Sequence, residues 1–195
     1  MDLALITIGV LIVVALIFDF TNGFHDAANS VGTVVATRAL PAKWATAFSA
    51  FFNFLALFVV GTAVASTVGK TVKAEFASEA VIFAGLFAAI AWNYITWYIG
   101  MPSSSSHAII GGLVGAGIAA GGLGAISWSS VQKAAIGIIA SPLVAFTIAF
   151  ILMYIVFLVQ KIFKLHDDHP SFKGLQLVSA AALSFGHGAN DAQKT

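Results

Sequence analysis

Phe20-Thr21-Asn22-Gly23-Phe24-His25-Asp26-Ala27-Ala28-Asn29-Ser30 interrupts a hydrophobic run that starts at Leu3. A related stretch, Phe185-Gly186-His187-Gly188-Ala189-Asn190-Asp191-Ala192-Gln193-Lys194-Thr195, occupies the last positions. Phe, Gly, Asp and Ala coincide between the two at a constant offset of 165 residues. Both copies sit in sequence too apolar for water, and an ionisable group at membrane depth is costly enough to mark a functional site. A duplicated polar element that breaks hydrophobic helices points to a transporter's binding site. The expected fold is all-α: a polytopic membrane protein with inverted-topology repeats, broken helices and a re-entrant hairpin.

Composition agrees. Only 9% of residues are charged while 59% are hydrophobic, against about 25% charged in soluble domains, and the mean hydropathy is +0.97. The net charge of +1 gives no basis for nucleic-acid binding. With no cysteine, disulfide scaffolds, thiolate metal sites and thiol catalysis are excluded. The run from Leu3 to Phe18 follows Asp2 rather than a basic segment, so it reads as a membrane helix and not a signal peptide.

Segments of spanning length, about 20 residues, fall at Leu3 to Phe20, Trp44 to Val68, Val81 to Gly100, Ala108 to Ile126, Val131 to Val159 and Leu175 onward. Basic residues favour the cytoplasmic side. Arg38 and Lys43 follow the first segment, and Lys161, Lys164 and Lys173 follow the fifth. Two crossings between Val81 and Ile126, or one re-entrant hairpin with none, leave the parity unchanged, so both basic loops lie inside and the N-terminus outside. The two acidic motifs then run in opposite directions. Residues 1–160 form a first transporter repeat, 161–173 a cytoplasmic connecting loop and 174–195 the start of a second, inverted repeat, which makes the chain an expected N-terminal fragment.

On a helix, Asp19, Asn22, Asp26, Asn29 and Thr33 recur at 3,4,3,4 spacing and make one polar stripe. Asp and Asn oxygens are hard ligands for small cations such as sodium, and a carboxylate can instead carry a proton. Gly23 is expected to allow local unwinding that frees backbone carbonyls. In the second copy the stripe becomes Ser184, His187, Asp191 and Lys194. Asp26 and Asp191 are the acids both copies keep. Asp19, matched to Ser184, divides evenly between structural and functional readings. His25 is either a proton carrier or a packed histidine. Lys194 stands where Asn29 stands in the first copy, and it either pairs with Asp191 or snorkels towards the cytoplasm.

The second constellation is Gly100-Met101-Pro102-Ser103-Ser104-Ser105-Ser106-His107. Pro102 stops the preceding helix, and Ser is a preferred N-cap for a new one. Free amides at that new N-terminus, with hydroxyls beside them, make an oxyanion receptor. Irregular backbone in a membrane must be buried in protein or line a cavity, so this segment is a re-entrant tip or a broken span. Gly111 and Gly115 have the small-xxx-small spacing that permits close helix approach. Asn93 and Thr96 read as helix-to-helix hydrogen bonding, with facing the site as the alternative, Asn53 as structural, Ser141-Pro142 as a kink, and Trp92, Tyr94, Trp97 and Tyr98 as an aromatic belt or packing against the hairpin. His166, Asp167, Asp168 and His169 read as a solvated turn, so no structural metal is expected. No G-x-S-x-G elbow is present, and no enzyme is expected.

An anion receptor beside carboxylates needs cations to neutralise the acids, and an inside-negative potential opposes anion entry by about 2.3 kcal/mol per charge per 100 mV. A cation-coupled oxyanion symporter follows, with phosphate and sulfate equally compatible. An ion channel with a re-entrant loop is the rival from another class.

GFHDAANS, from Gly23 to Ser30, and HGANDAQKT, from His187 to Thr195, closely resemble the paired signatures of the inorganic phosphate transporter (PiT) family, and PSSSSH, from Pro102 to His107, is similar to its hairpin motif. The resemblance covers essentially the whole chain. It implies low-affinity import of inorganic phosphate across the plasma membrane, driven by protons or sodium, by a multi-pass carrier in the lipid bilayer that can form a homodimer. By this resemblance Ser103, Ser104, Ser105 and Ser106, with Asn29, contact phosphate. Asn22, Asp26, Asn29, Asn190 and Asp191 line the cation and substrate sites, and His25, His187 and Lys194 are candidates for a proton or charge role. Bacterial proton-coupled members, some of which carry divalent metal-phosphate complexes, have second motifs much like HGANDAQK, which tilts the expectation towards protons. Sulfate permeases of the same architecture are the nearest alternative. No cofactor is expected beyond the co-transported ion.

The basic-loop asymmetry predicts that Arg38 and Lys164 share the cytoplasmic face while Lys70 and Glu79 lie outside. Single cysteines introduced into this cysteine-free chain should be labelled accordingly from opposite sides. Labelling of positions 70 and 164 from the same side would refute the inverted arrangement.

Overall fold

The computed structural model describes residues 3–59, 63–101, 103–164 and 170–191. The described residues are helical apart from short connections and one isolated bridge. In chain order the helices are α1 (Leu3–Ala36), α2 (Ala42–Val59), α3 (Ala63–Gly69), α4 (Glu79–Tyr98), α5 (Ser105–Gly121), α6 (Trp128–Phe163) and α7 (Pro170–Asp191), with 3₁₀ turns at Ala74–Phe76 and Leu123–Ala125. Among the described residues α1, α2, α4 and α6 are long and apolar enough to cross a membrane.

Helix α1 runs unbroken through the first polar motif, so the expected interruption at Gly23 does not occur. A glycine in a helix costs about 1 kcal/mol relative to alanine, whereas unwinding in lipid leaves backbone groups unsatisfied at several kcal/mol each. The stripe is therefore presented by an intact helix of 34 residues, about 51 Å long at 1.5 Å per residue.

Hydrogen bonds fix how α1 meets α7. Thr37 Oγ1 donates to Gln176 Oε1 at 2.9 Å near the end of α1 and the start of α7. Asn22 Nδ2 donates to Asp191 Oδ2 at 3.0 Å near the other end of the pair. As α1 advances α7 recedes, so the helices carrying the two motif copies are antiparallel. Helix α2 packs beside both, burying Ala45 against Val34 and Ala180.

On the opposite side α1 packs against the α4–α5 hairpin, with Phe18 completely buried in a cluster that includes Leu86, Ala89, Ile109 and Leu113. The far ends of this hairpin are tied together. Val72 bridges Ile126, Lys73 N donates to Ala125 O, and Ser127 N donates to Thr71 O, both at 2.9 Å. Entry to α4 and exit from α5 thus share one end of the molecule, as a re-entrant hairpin and a pair of crossings both require.

The tip of the hairpin is built by capping. Gly100 adopts φ +68°, Met101 N donates to Thr96 O at 2.8 Å and Gly100 N to Trp97 O at 3.1 Å, the paired bonds of a glycine-terminated helix. Gly100 therefore ends α4; Pro102, to which the sequence assigned the stop, lies outside the described residues. The helix restarts where expected, with Ser104 as N-cap accepting from His107 N.

Close approach of α4 and α5 runs one residue away from the expected positions. Gly111 and Gly115 have open space where a Cβ would go, while a Cβ on Gly112 would overlap the Gly85 carbonyl oxygen. Helix α6 stands at the edge. None of the residues in its most apolar stretch of 18 is buried, and it continues as helix through Pro142, whose ring leaves the Ile138 carbonyl without its usual amide donor.

Gly112→Ala should destabilise the purified protein by about 1–3 kcal/mol, the usual cost of overpacking, because the obstruction is backbone. Gly111→Ala should be nearly silent. Thermal unfolding in detergent reads both, and equal melting temperatures would refute the assigned contact.

Candidate functional site

Where α1 crosses α7, the polar groups of the two motif copies converge. His187 Nε2 lies 2.9 Å from Asp191 Oδ2, one turn along α7, and 3.9 Å from Asp26 Oδ2 on α1. Asn22 adds its amide to Asp191, and Asn29 Nδ2 lies 3.4 Å from Asp26 Oδ1. Single ligand atoms of Asp26, His187 and Asp191 all fall within 4.8 Å of one another. Two carboxylates at that separation repel by about 3.5 kcal/mol at an effective dielectric of about 20. Donors must stand between them, and His187 and Asn22 supply them.

A second line of polar groups leaves Asp26 towards the hairpin. His25 Nδ1 lies 3.7 Å from Asp26 Oδ1 and its Nε2 lies 3.3 Å from Thr96 Oγ1. The Thr96 hydroxyl also reaches the Trp92 carbonyl at 2.8 Å, and the imidazole tautomer decides which partner donates between His25 and Thr96. Asn93 Nδ2 donates to Thr21 Oγ1 at 3.3 Å. Asn93 and Thr96 are both completely buried and bond α4 to α1, the helix-to-helix role expected of them. The aromatic cluster packs on the same seam, with Phe24 ring centroids 5.9 Å from Tyr94 and 5.5 Å from Trp97.

The hairpin tip faces the acids across a cavity of about 860 Å³. Asp26, Asn29, His187, Asn190 and Asp191 line one side, and Ser103, Ser104, Ser106 and His107 line the other. Trp92 Nε1 donates to Ser103 Oγ at 2.9 Å and positions that hydroxyl. Ser105 is 1% exposed, does not line the cavity, and its hydroxyl has no hydrogen-bond partner. The structure thus brings three of the four serines to the acids and turns the fourth into the protein.

A smaller cavity of about 440 Å³ lies on the α2 side of the same crossing, lined by Asp19, Asn22, Ser49, Asn53, His187 and Asp191 among others. His187 and Asp191 therefore form a partition that both cavities touch. Asn53 Nδ2 donates to the Ser49 carbonyl at 2.9 Å, and Ser184 Oγ to Ser49 Oγ at 3.0 Å. Gly188 lets α7 approach α2 here, since a Cβ would overlap the Asn53 backbone.

Asn22 is 4% exposed, and its Oδ1 is buried without a donor. An acceptor-only oxygen beside two carboxylates is suited to a cation. Asn190 Nδ2 donates to the Gly186 carbonyl at 3.1 Å, leaving its oxygen side to the cavity wall. Lys194 and the segment from His166 to His169 lie outside the described residues.

The charged cavity residue that the sequence reading did not single out is Lys133. Lys133 on α6 lines the larger cavity together with Ala134, Gly137 and Ser141. The i, i+4, i+8 spacing of Lys133, Gly137 and Ser141 was the available signal, masked because a lysine five residues into a span reads as its end.

Known proteins resemble this chain in sequence and in fold. A family model described as PHO4, phosphate transporter family, matches residues 22–169. A Rhizobium meliloti (strain 1021) protein named "Probable low-affinity inorganic phosphate transporter" is 49% identical over 189 residues, covering 95% of this chain and 56% of that protein. A Bacillus subtilis (strain 168) protein of the same name is 46% identical, covering 100% and 59%. One from Streptomyces halstedii is 41% identical, covering 96% and 88%. The chain thus spans a little over half the length of the first two relatives. A solved structure named "The sodium-dependent phosphate transporter" superposes with a TM-score of 0.72 over 93% of this chain and 54% of its own, at 23% identity, a likeness of fold.

The Asn22–Asp191 bond joins the two motif copies, and a double-mutant cycle isolates it. Asn22→Ala and Asp191→Ala should couple by about 0.6–1.7 kcal/mol, the range for polar pairs between membrane helices, in unfolding from bicelles. Strict additivity would make the bond incidental.

Proposed function

The chain belongs to the phosphate transporter family, and we propose that the protein imports inorganic phosphate across the plasma membrane as a symporter coupled to protons or sodium. The observation that carries this reading is the single cavity in which the acids of α1 and α7 face Ser103, Ser104 and Ser106 at the start of α5. Each half of that cavity solves a problem created by the other. The N-terminus of α5 presents free amides, a positive dipole end and hydroxyls to an oxyanion. Asp26 and Asp191 offer negative charge to a cation or proton, and the orphan Oδ1 of Asn22 adds a carbonyl oxygen beside Asp191 from the side of the smaller cavity. A bound cation at the acids removes their repulsion of the anion, so anion and cation are taken together.

In this reading Asn29 and Asn190 complete the cavity wall, and His187 holds the place between the acids when no cation is present. Alternating access is movement of the hairpin against the crossing of α1 and α7, with Arg38 and Lys164 on the cytoplasmic side and the N-terminus outside. Proton coupling is favoured by the imidazoles, His25 and His187, that flank Asp26. A second copy of the carrier completes a homodimer.

The test is radiolabelled phosphate uptake into proteoliposomes, with sodium and pH gradients varied independently and sulfate as competitor. Uptake should saturate, require one of the two gradients, and resist sulfate. Asp26→Asn should insert normally and lose accumulation against a gradient, because the amide keeps the shape but neither binds a proton nor supplies charge. Unchanged ion dependence in that variant would remove the carboxylate from the mechanism, and preferential sulfate uptake would replace the substrate.

A further inference from the structure

The symport reading uses the acids, amides and serines that α1, α7 and the hairpin tip bring to the large cavity, and leaves the α6 wall without a role. Helix α6 contributes Lys133, Ala134, Gly137 and Ser141 to the wall, and these positions lie along one face of the helix. The remainder of α6 is a lipid-type surface. Its large apolar side chains are exposed from Ile136 to Phe163, and no charged residue occurs between Ala134 and Gln160. Among the described residues, Lys133 is the one lysine or arginine lining a cavity whose ionisable wall otherwise consists of Asp26, Asp191, His107 and His187.

We propose that Lys133 is an oxyanion-recognition residue: its ammonium forms the cationic wall of the cavity and receives the phosphate alongside the serine tip. The inference rests on the symport reading and extends it to a residue that neither motif contains. Three physical points carry it. First, an anion approaching the cavity meets two carboxylates, and a fixed positive charge on the wall offsets their field before any cation has bound. Second, lysine is a compact point charge with three donors on a flexible stem, able to follow a tetrahedral oxyanion without imposing a planar geometry. Third, the neighbouring wall positions Ala134 and Gly137 carry little or no side chain, Lys133 itself is exposed, and Ser141 carries a hydroxyl further along the same face. The rival role is an interfacial anchor whose head leaves the cavity for water.

The experiment compares the intact wild-type protein with Lys133→Gln, Lys133→Met and Lys133→Arg in proteoliposomes, measuring initial phosphate uptake over a range of concentrations. Equilibrium binding of radiolabelled phosphate and sulfate to the purified proteins is measured in parallel. Both neutral variants should raise the KM for phosphate about tenfold, as expected for loss of one charge-assisted hydrogen bond, with maximal rate changed less than KM. Lys133→Arg should recover most of the affinity. Wild-type KM should rise with ionic strength more steeply than that of the neutral variants, since the charge that is screened has gone from them.

An unchanged KM and unchanged salt dependence in both neutral variants overturns the inference in favour of an anchor, as does failure of both to insert while Lys133→Arg inserts normally. If the wild type carries no phosphate, the symport reading fails separately. The binding arm then decides: weaker oxyanion binding in the neutral variants supports Lys133 as a recognition residue, and equal or absent binding overturns it.

Discussion

Two carboxylates held within reach of one imidazole set the terms for the rest of this molecule. Asp26 and Asp191 come from opposite ends of the chain, and a pair of acids in a low-dielectric surrounding is tolerable only when donors or cations stand between them. His187 and Asn22 are those donors. Because Asn22 lies one turn before Asp26 on α1, and His187 one turn before Asp191 on α7, the two helices satisfy each other best when antiparallel. The bond from Thr37 to Gln176 at the other end fixes the same direction. The apolar remainder of α1 is then free to face lipid or the hairpin, and Phe18 is buried where the hairpin begins to cover it.

The hairpin obeys a second constraint, that backbone in a membrane must be satisfied internally or by what it lines. The end of α4 is closed by bonds to Thr96 and Trp97 carbonyls around Gly100, and the start of α5 by the Ser104 hydroxyl. What remains open at the start of α5 faces the cavity instead of lipid. Holding the tip there requires the two arms to pack without a gap. The contact of Gly112 with the Gly85 carbonyl brings the backbones together, and the bridge between Val72 and Ile126 fixes their far ends.

The sequence made the broad plan legible because charge and hydropathy act over whole segments. The offset between Asp26 and Asp191 and the placement of Arg38, Lys161 and Lys164 were enough for antiparallel copies. Proline followed by serines was enough for a helix restart near Ser104. What depended on helix phase was hidden. Nothing in four consecutive serines tells that Ser105 turns inward while Ser103, Ser104 and Ser106 face the cavity, nor that Gly112 rather than Gly111 makes the close approach. Gly23 misled because its flexibility was weighed without the cost of breaking a helix in lipid. Lys133 was passed over because its meaning comes from a cavity assembled by four other helices.

In the proposed reading, the charge pattern of the cavity explains why coupling needs no long-range wire. The acids repel an oxyanion and the N-terminus of α5 attracts it, so in the proposed reading the balance turns on whether a cation occupies the acids. A cation there changes the field at the serine tip directly, across one shared space. Linkage then requires the phosphate to tighten the cation by the same factor that the cation tightens the phosphate. His187 sharpens this exchange. It touches both acids and both cavities, so an ion that displaces its contact with Asp191 also alters the partition between the two sides of the crossing. Under the proposed function occupancy and access are thereby joined at one side chain, and the same repulsion between Asp26 and Asp191 that makes the empty site costly supplies the drive to fill it.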